Sequence, residues 1–206
     1  MCLTYTDRKI LPVIINVHGG GLIIGNKEFN RYFCALLCKK GFLVYSIEYR
    51  LIPDCLIYDQ IADVFMAMDY IKERLAADGG DSSHVYMAGD SGGACLITYA
   101  NAIQNSTNIA RAANVTPSGL RINALGLISG MFYTSRFDKI GLFLPKYLYG
   151  RDYKKTSFAK YVNPENRELL NSLAPVWLVT SHNDFLRRYT TCLLYTSPSP
   201  RDRTRS

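Results

Sequence analysis

The stretch "VYMAGDSGGACLITYA", residues 85–100, decides the fold. At its centre, Ser91 stands in the pentapeptide GDSGG, residues 89–93. A segment of this kind occurs in two settings: a loop of an all-β protein, or a sharp turn from a strand into a helix. The apolar run 84–89 precedes Ser91 and a helical pattern follows it, which favours the strand–turn–helix setting.

Strand and helix patterns alternate outward from this turn in both directions. Short apolar, β-branched runs predict strands, and segments with apolar residues at helical spacing predict helices between them. The alternation is typical of an α/β fold, so we expect a three-layer α/β/α sandwich with a mainly parallel sheet. The predicted strands cover residues 12–17, 42–49, 84–89, 121–129 and 175–181, and the predicted helices cover 29–41, 60–76 and 93–104.

A second glycine-rich motif, "HGGG" at residues 18–21, directly follows the first predicted strand. Backbone N–H groups must approach a substrate carbonyl closely to bind an oxyanion, and only glycines leave room for that approach. We expect this loop and Ser91 to meet at the carboxyl ends of the parallel strands. Together the motifs predict a serine nucleophile with an oxyanion-binding loop, a site that needs neither a metal nor a cofactor.

Four blocks of the sequence resemble the hormone-sensitive-lipase-like branch of the α/β-hydrolases, a family of esterases and lipases. They are "HGGGLIIGN" (18–26), "EYRLIPD" (48–54), "YMAGDSGGA" (86–94) and "PVWLVTSHNDFLRR" (175–188). The resemblance spans about residues 11–188 and implies that the five predicted strands lie in the order second, first, third, fourth, fifth. The family carries further elements on both sides, so we expect an α/β-hydrolase core that is incomplete at both ends.

The resemblance implies a role for each reactive position. Ser91 would be the nucleophile, and Asp184 would be the acid that orients a catalytic histidine. The N–H groups of Gly20, Gly21 and Gly92 would form the oxyanion hole.

Other motif residues would support the site. His18 would brace the oxyanion loop and would not act as a base, and Asp63 would be structural. Asp90 and Arg50 would be either a buried polar pair near the turn or two separately solvated charges. Small residues are required where strand and helix approach each other. The glycines that would support the site in this way are Gly19, Gly89 and Gly93.

The printed sequence lacks one member of the expected machinery. A serine hydroxyl needs a general base, and the chain order in this fold is serine, acid, histidine. The chain contains His18, His84 and His182, and none of them follows Asp184. His84 begins the strand that leads to Ser91, at the far end of the sheet, and His182 lies too close to Asp184 to bridge both groups. We therefore expect this chain by itself to be almost inactive.

The resemblance implies a serine hydrolase that acts on carboxylic esters, with a short-chain acyl or lipid-like small-molecule substrate. Two alternatives remain open. Plant gibberellin receptors are built on the same family and bind a small ligand without catalysis, and amidases or deformylases use the same fold. Fold alone does not decide between these functions.

Composition and charge limit the cellular compartments and the partners expected for the protein. Six scattered cysteines form no C-x-x-C pair and no zinc-finger spacing, which favours a reduced, cytoplasmic protein. The sequence shows no signal peptide and no apolar run long enough to cross a bilayer. The net charge is +7, but we find no compact basic stripe with interleaved aromatics and expect no nucleic-acid partner.

The composition changes near residue 191. We expect residues 1–191 to form a partial α/β-hydrolase domain and residues 192–206 to be disordered, because the ending is polar and rich in Pro, Ser and Arg. The ending "CLLYTSPSPRDRTRS" also resembles a translated sequencing adapter, so we expect a reading frame truncated near Thr191.

Overall fold

The computed structural model describes residues 2–3, 10–136, 138, 140–142 and 144–196. Within them the chain forms one six-stranded sheet with helices on both faces. The strands are β1 (Cys2–Leu3), β2 (Leu11–Val17), β3 (Leu43–Ile47), β4 (Gly80–Asp90), β5 (Ala124–Ile128) and β6 (Val176–Val179). The helices are α1 (Arg31–Lys39), α2 (Ile57–Arg74), α3 (Gly92–Asn105), α4 (Thr107–Ala113), α5 (Leu144–Tyr149), α6 (Arg167–Asn171) and α7 (Arg187–Thr196), with two short 3₁₀ helices at Tyr153–Lys155 and Ser157–Tyr161.

The strands lie in the order β1-β3-β2-β4-β5-β6, and β2 to β6 run parallel. The predicted α/β sandwich and the predicted order of its five strands are confirmed. The sequence did not predict β1, which pairs antiparallel with β3 and places Cys2 opposite Tyr45. A strand of two residues is too short to carry a hydrophobic alternation, so no pattern in the sequence could reveal it.

The two faces of the sheet carry different helices because alternate residues of a strand point to opposite sides. On β2, Val13 and Ile15 belong to the larger core, which they share with α2 and α3. Ile14 belongs to a smaller cluster with Cys34 and Cys38 of α1. Helix α3 is the central helix, since its residues 92–103 are all buried. The sheet and α3 therefore hold Ser91 from both sides.

Helix α7 contradicts part of the disorder predicted for the C-terminal segment. It continues to Thr196, and Leu193 is buried in the main core. The first five residues of the segment predicted to be disordered, 192–196, are therefore helical, because an apolar side chain in that stretch packs against the domain. Residues 197–206, where the rest of that prediction falls, lie outside the described residues. None of the described helices is long and apolar enough to cross a membrane.

Candidate active site

Ser91 is the single residue between β4 and α3. Its backbone torsions, φ 49° and ψ −114°, lie in a region that residues with a side chain rarely adopt. Three backbone hydrogen bonds hold this conformation: the Ser91 N–H donates to the Ile128 carbonyl at 2.9 Å, and the Ser91 carbonyl accepts from the N–H groups of Met131 at 3.0 Å and Cys95 at 3.2 Å. The residue thus sits in a strained strand–turn–helix that the surrounding structure keeps in place.

The glycines that flank Ser91 let strand and helix approach closely. A Cβ atom at Gly89 would lie 2.8 Å from the carbonyl carbon of Gly93. One at Gly93 would lie 2.2 Å from the carbonyl oxygen of Val17. Both distances are far below van der Waals contact, so neither position accepts a larger residue without a backbone shift. These glycines set how near α3 lies to the end of β2.

The HGGG loop lies against the first turn of α3. A Cβ atom at Gly92 would be 3.2 Å from the Gly21 nitrogen, and Gly21 lines the same pocket as Ser91. Gly20 and Gly21 have φ of +105° and +63°, the left-handed region that favours glycine. Within the described residues, the N–H groups of Gly20, Gly21 and Gly92 donate to no backbone acceptor in the loops. They remain available to an anion at the N-terminus of α3, where the helix dipole also favours negative charge.

His18 is fully buried at the base of this loop. Its Nδ1 lies 2.8 Å from the Gly19 carbonyl oxygen, and its ring stacks on Tyr49 with 4.4 Å between the centroids. The Tyr49 hydroxyl donates to the His18 carbonyl at 2.8 Å. Burial, reinforced by the nearby Asp90 carboxylate, raises the pKa of Tyr49, so this hydroxyl remains a donor. Ring and backbone of His18 are both engaged in bracing the loop.

Asp90 ties the HGGG loop to the turn that holds Ser91. Its Oδ1 accepts hydrogen bonds from the Gly19 N–H at 3.0 Å and from Asn30 Nδ2 at 2.7 Å. A Cβ atom at Gly19 would lie only 2.3 Å from Asp90 Oδ2, so glycine is required for this contact. Sequence reasoning missed Asn30, because no motif marks an isolated asparagine before a helix.

Arg50 does not pair with Asp90, so the polar pair considered from the sequence is wrong. Arg50 instead makes a two-point contact with Asp63, with Nε to Oδ2 and Nη2 to Oδ1 both at 2.9 Å. Its own N–H also donates to Asp63 Oδ2 at 2.9 Å. Helix α2 brings Asp63 beside the chain that leaves β3, whereas Asp90 is already satisfied by the HGGG loop and by Asn30. The structural role expected of Asp63 agrees with these contacts.

Asp184 lies in the loop after β6. Its Oδ2 accepts a hydrogen bond from the Thr180 hydroxyl at 2.9 Å, and its Oδ1 accepts one from the Leu186 N–H at 2.9 Å. Partial burial by itself would raise the pKa of this carboxyl, but hydrogen bonds from Ser129, Leu186 and Thr180 outweigh it, and the pKa is lowered. The carboxylate is therefore ionised and oriented at neutral pH, which is what the orienting acid of a serine hydrolase requires.

A pocket of about 360 Å³ opens at Ser91, and its lining is almost wholly apolar. Phe185 and Leu186, the two residues that follow Asp184, line it, so the acid loop and Ser91 border the same space. No sequence motif identified the other apolar side chains, because they come from loops and a short helix that converge only in the folded chain. Besides Gly21 and Ser91, the lining residues are Ile23, Met131, Ile140, Leu144, Phe185 and Leu186.

No histidine of the chain is hydrogen-bonded to Ser91 or Asp184. The Nδ1 of His84 lies 2.7 Å from Asp81 Oδ2 at the start of β4, and the Nδ1 of His182 lies 3.0 Å from Asn183 Oδ1. The described residues also contain no group of three or more His, Cys, Asp or Glu side chains that could hold a metal ion. The site therefore contains a serine, free N–H donors and an oriented acid, without an imidazole between them.

Comparison with known proteins identifies the class of protein that this fold and site define. The family described as alpha/beta hydrolase fold matches residues 14–194, most of the chain. The chain therefore belongs to the α/β-hydrolases, and the resemblance to their hormone-sensitive-lipase-like branch is confirmed.

Several relatives are esterases by name. A probable isoprenylcysteine alpha-carbonyl methylesterase from Oryza sativa subsp. japonica is 28% identical over 174 residues, which cover 79% of this chain and 42% of the rice protein. Esterase B from Lactobacillus rhamnosis, solved with a tributyrin phosphonate inhibitor, superposes with a TM-score of 0.84 at 25% identity, over 93% of this chain and 62% of the esterase. A bacterial heroin esterase gives a TM-score of 0.69 at 26% identity, over 95% of this chain and 66% of that protein. The chain thus spans less than two thirds of each of these relatives.

Proposed function

We propose that the whole protein hydrolyses carboxylic esters and that Ser91 is its nucleophile. One observation carries this proposal: Ser91 projects from a strained strand–turn–helix into an apolar pocket, beside the free N–H groups of Gly21 and Gly92. A nucleophile next to preorganised donors is the arrangement that acyl transfer requires. The esterase relatives support the same reaction class.

The chemistry proceeds in two steps. Ser91 Oγ attacks the ester carbonyl carbon and loses its proton to a base, and the carbonyl oxygen becomes an oxyanion held by the N–H groups of Gly20, Gly21 and Gly92. The C–O bond to the alcohol then breaks, and the alcohol leaves with the proton from the base. Water, deprotonated by the same base, attacks the acyl-enzyme and releases the carboxylic acid and free Ser91. Asp184 would orient the base throughout.

None of the residues 1–206 supplies the general base that this mechanism needs. We propose that it is a histidine that follows Asp184 in the whole protein, because serine, acid and histidine occur in this order in the fold. In a comparable enzyme, loss of a triad member lowers turnover by about a millionfold and leaves about 10³ to 10⁴ over water. We therefore expect residues 1–206 alone to be almost inactive while retaining the oxyanion site.

The apolar pocket indicates the kind of ester. Its volume of about 360 Å³ suits a short acyl chain or the end of a lipid-like chain better than a charged group. Cys34 and Cys95 are buried and form no disulfide within the described residues, which agrees with a reduced, cytoplasmic setting.

Labelling by a fluorophosphonate and hydrolysis of p-nitrophenyl butyrate test the proposal. We expect slow labelling of residues 1–206 at Ser91, and fast labelling and turnover in the whole protein. Ser91→Ala should abolish both, whereas Ser82→Ala, which changes an exposed serine at the other end of β4, should change neither. A whole protein that lacks a histidine after Asp184, and that binds a small hydrophobic acid without cleaving esters, would establish the receptor function instead. Cleavage of anilides in preference to esters would establish an amidase.

A further inference from the structure

A group of basic side chains lies beside the candidate active site. A cleft of about 460 Å³ is lined by five Lys or Arg side chains among the described residues, and Asp152 is the one acidic residue among them. The sequence analysis found no compact basic stripe, and the structure corrects that interpretation. The segment 146–155, "KYLYGRDYKK", is itself basic with interleaved tyrosines, and Arg136 joins it from a separate loop. The cations are Arg136, Lys146, Arg151, Lys154 and Lys155.

Most of this charge is not neutralised within the described residues. Lys146, Arg151 and Lys154 are exposed and form no ion pair there. Lys155 pairs with Asp152 at 3.0 Å, but both side chains are more than three-quarters exposed, so water screens the contact. Arg136 is the exception, since it pairs with Glu165 at 2.6 Å. The cleft therefore presents several exposed cations to a partner.

The basic cleft adjoins the Ser91 pocket at helix α5. Leu144, the first residue of that helix, lines the Ser91 pocket, and the next two residues, Pro145 and Lys146, line the cleft. Two large apolar side chains nearby have most of their surface in water: Leu142, which lines the cleft, is 55% exposed, and Tyr147, which follows Lys146 in α5, is 61% exposed. Basic, aliphatic and aromatic groups thus share one surface next to the proposed acyl pocket.

We propose that this surface, formed by Leu142 and residues 144–155, binds the face of an anionic phospholipid bilayer. Long lysine side chains attract anionic headgroups without fixed geometry, while exposed Leu142 and Tyr147 suit the boundary between headgroups and acyl chains. A nucleic acid would satisfy the charge but would leave the aliphatic side chain without a partner. In this orientation the Ser91 pocket would open close to the membrane, so a lipid-like ester could enter it from the bilayer. Binding to the bilayer does not depend on the proposed hydrolysis.

Sedimentation of the full chain with lipid vesicles tests this proposal without any activity assay. The probes are vesicles of phosphatidylcholine alone and vesicles that also contain phosphatidylserine. We expect binding only to the second kind, and binding that weakens as salt is raised. Lys154→Glu/Lys155→Glu should lower the partition coefficient at least about 25-fold, because each cation near such a surface contributes about fivefold. Lys146→Glu/Arg151→Glu should give a similar loss.

The matched control is Lys39→Glu/Lys40→Glu, which makes the same change in net charge at the end of α1. It should alter the partition coefficient less than the variants of residues 144–155. An equal loss in the control would overturn the proposal, because net charge alone would then explain binding. Tighter binding to transfer RNA than to the vesicles, or release from the vesicles by inorganic phosphate at constant ionic strength, would also overturn it. Circular dichroism melts of each variant show that the loss does not come from unfolding.

Discussion

The two halves of the candidate site are built in different ways. The glycine half (Gly19–Gly21 with Gly89–Gly93) lies at the centre of the sheet, and at each of its glycines except Gly21 neighbouring atoms leave no room for a Cβ atom. The acid half (Thr180–Leu186) follows β6, which pairs only with β5 within the described residues. Side-chain exposure shows the same contrast: His18 is fully buried, whereas Trp177 is 71% and Phe185 is 83% exposed.

The two halves therefore differ in how firmly the fold positions their functional groups. The glycine half is fixed by strand pairing, by Asp90 and by the close approach of α3, so its N–H donors are placed whether or not a base is present. The acid half depends on three hydrogen bonds to one carboxylate in a loop. We infer that substitutions in the glycine half lower the free energy of unfolding strongly, while its N–H donors keep their positions in the native chain. Substitutions in the acid half should lower the free energy of unfolding only slightly.

The largest effect is expected for Gly93→Ala in the glycine half. A Cβ atom there would meet the Val17 carbonyl oxygen at 2.2 Å and the His18 carbonyl oxygen at 2.5 Å, so β2 or α3 must move. We expect a loss of about 3 kcal/mol or more in the free energy of unfolding. Urea denaturation measures it, with Gly126→Ala in β5 as the control, because a Cβ atom there meets its nearest neighbour at an ordinary 3.8 Å. Equal stability of the two variants would contradict the interlocked glycine half.

Removal of the polar link within the same half should have a smaller effect. Asp90→Ala leaves the Gly19 N–H and the Asn30 amide without their acceptor, and we expect a loss of about 2 kcal/mol. Asp90→Asn keeps one oxygen that can accept from Gly19, so it should cost less than the alanine variant. If both variants unfolded at the same urea concentration as the parent chain, the link would not stabilise the glycine half.

The sequence predicted those parts of the molecule whose signals are local. Ser91 and the HGGG loop each follow a short apolar run, so the strand–turn–helix could be predicted from local signals alone. The order of the parallel strands was implied only by the resemblance to the hydrolase family, since no local pattern indicates which strands are neighbours. The Arg50 contact could not, because two acidic partners were available and only the packing of α2 beside β3 favours Asp63. The pocket lining was likewise hidden, since Met131 and Leu186 converge from segments distant in sequence.

Helix α1 shows a second limit of periodicity. Its sequence places Phe29, Phe33, Leu36 and Leu37 at helical spacing, which predicts that they form the buried face. In the structure Phe29 and Leu36 are 56% and 61% exposed, and the buried residues of the helix are Cys34 and Cys38. The burial of Cys34 and Cys38 could itself be predicted, because two small apolar residues four positions apart share one helix face, and their small side chains allow the helix to lie close to Ile14 and Val44 of the sheet.

The smallest effect is expected in the acid half, and it depends on pH. Because the pKa of Asp184 is lowered in the folded chain, its ionised form stabilises the fold above the unfolded pKa of about 3.9, and this contribution disappears as the pH falls through the folded pKa. Asp184→Asn should therefore reduce the free energy of unfolding by less than about 1 kcal/mol at neutral pH, since the site is partly open to solvent. The difference from the parent chain should shrink below about pH 4.

Urea denaturation as a function of pH measures this dependence, and Asp54→Asn is the matched control, since that exposed carboxylate accepts no hydrogen bond from a described residue. The control should lower the free energy of unfolding at neutral pH less than Asp184→Asn does. A difference for Asp184→Asn that grows as the pH falls would mean that the carboxylate is held in its protonated form, and the acid could not then orient an imidazole. If Asp184→Asn lowered the free energy of unfolding at neutral pH as much as Gly93→Ala, the contrast between the two halves would be wrong. The acid loop would then contribute as much to stability as the glycine half.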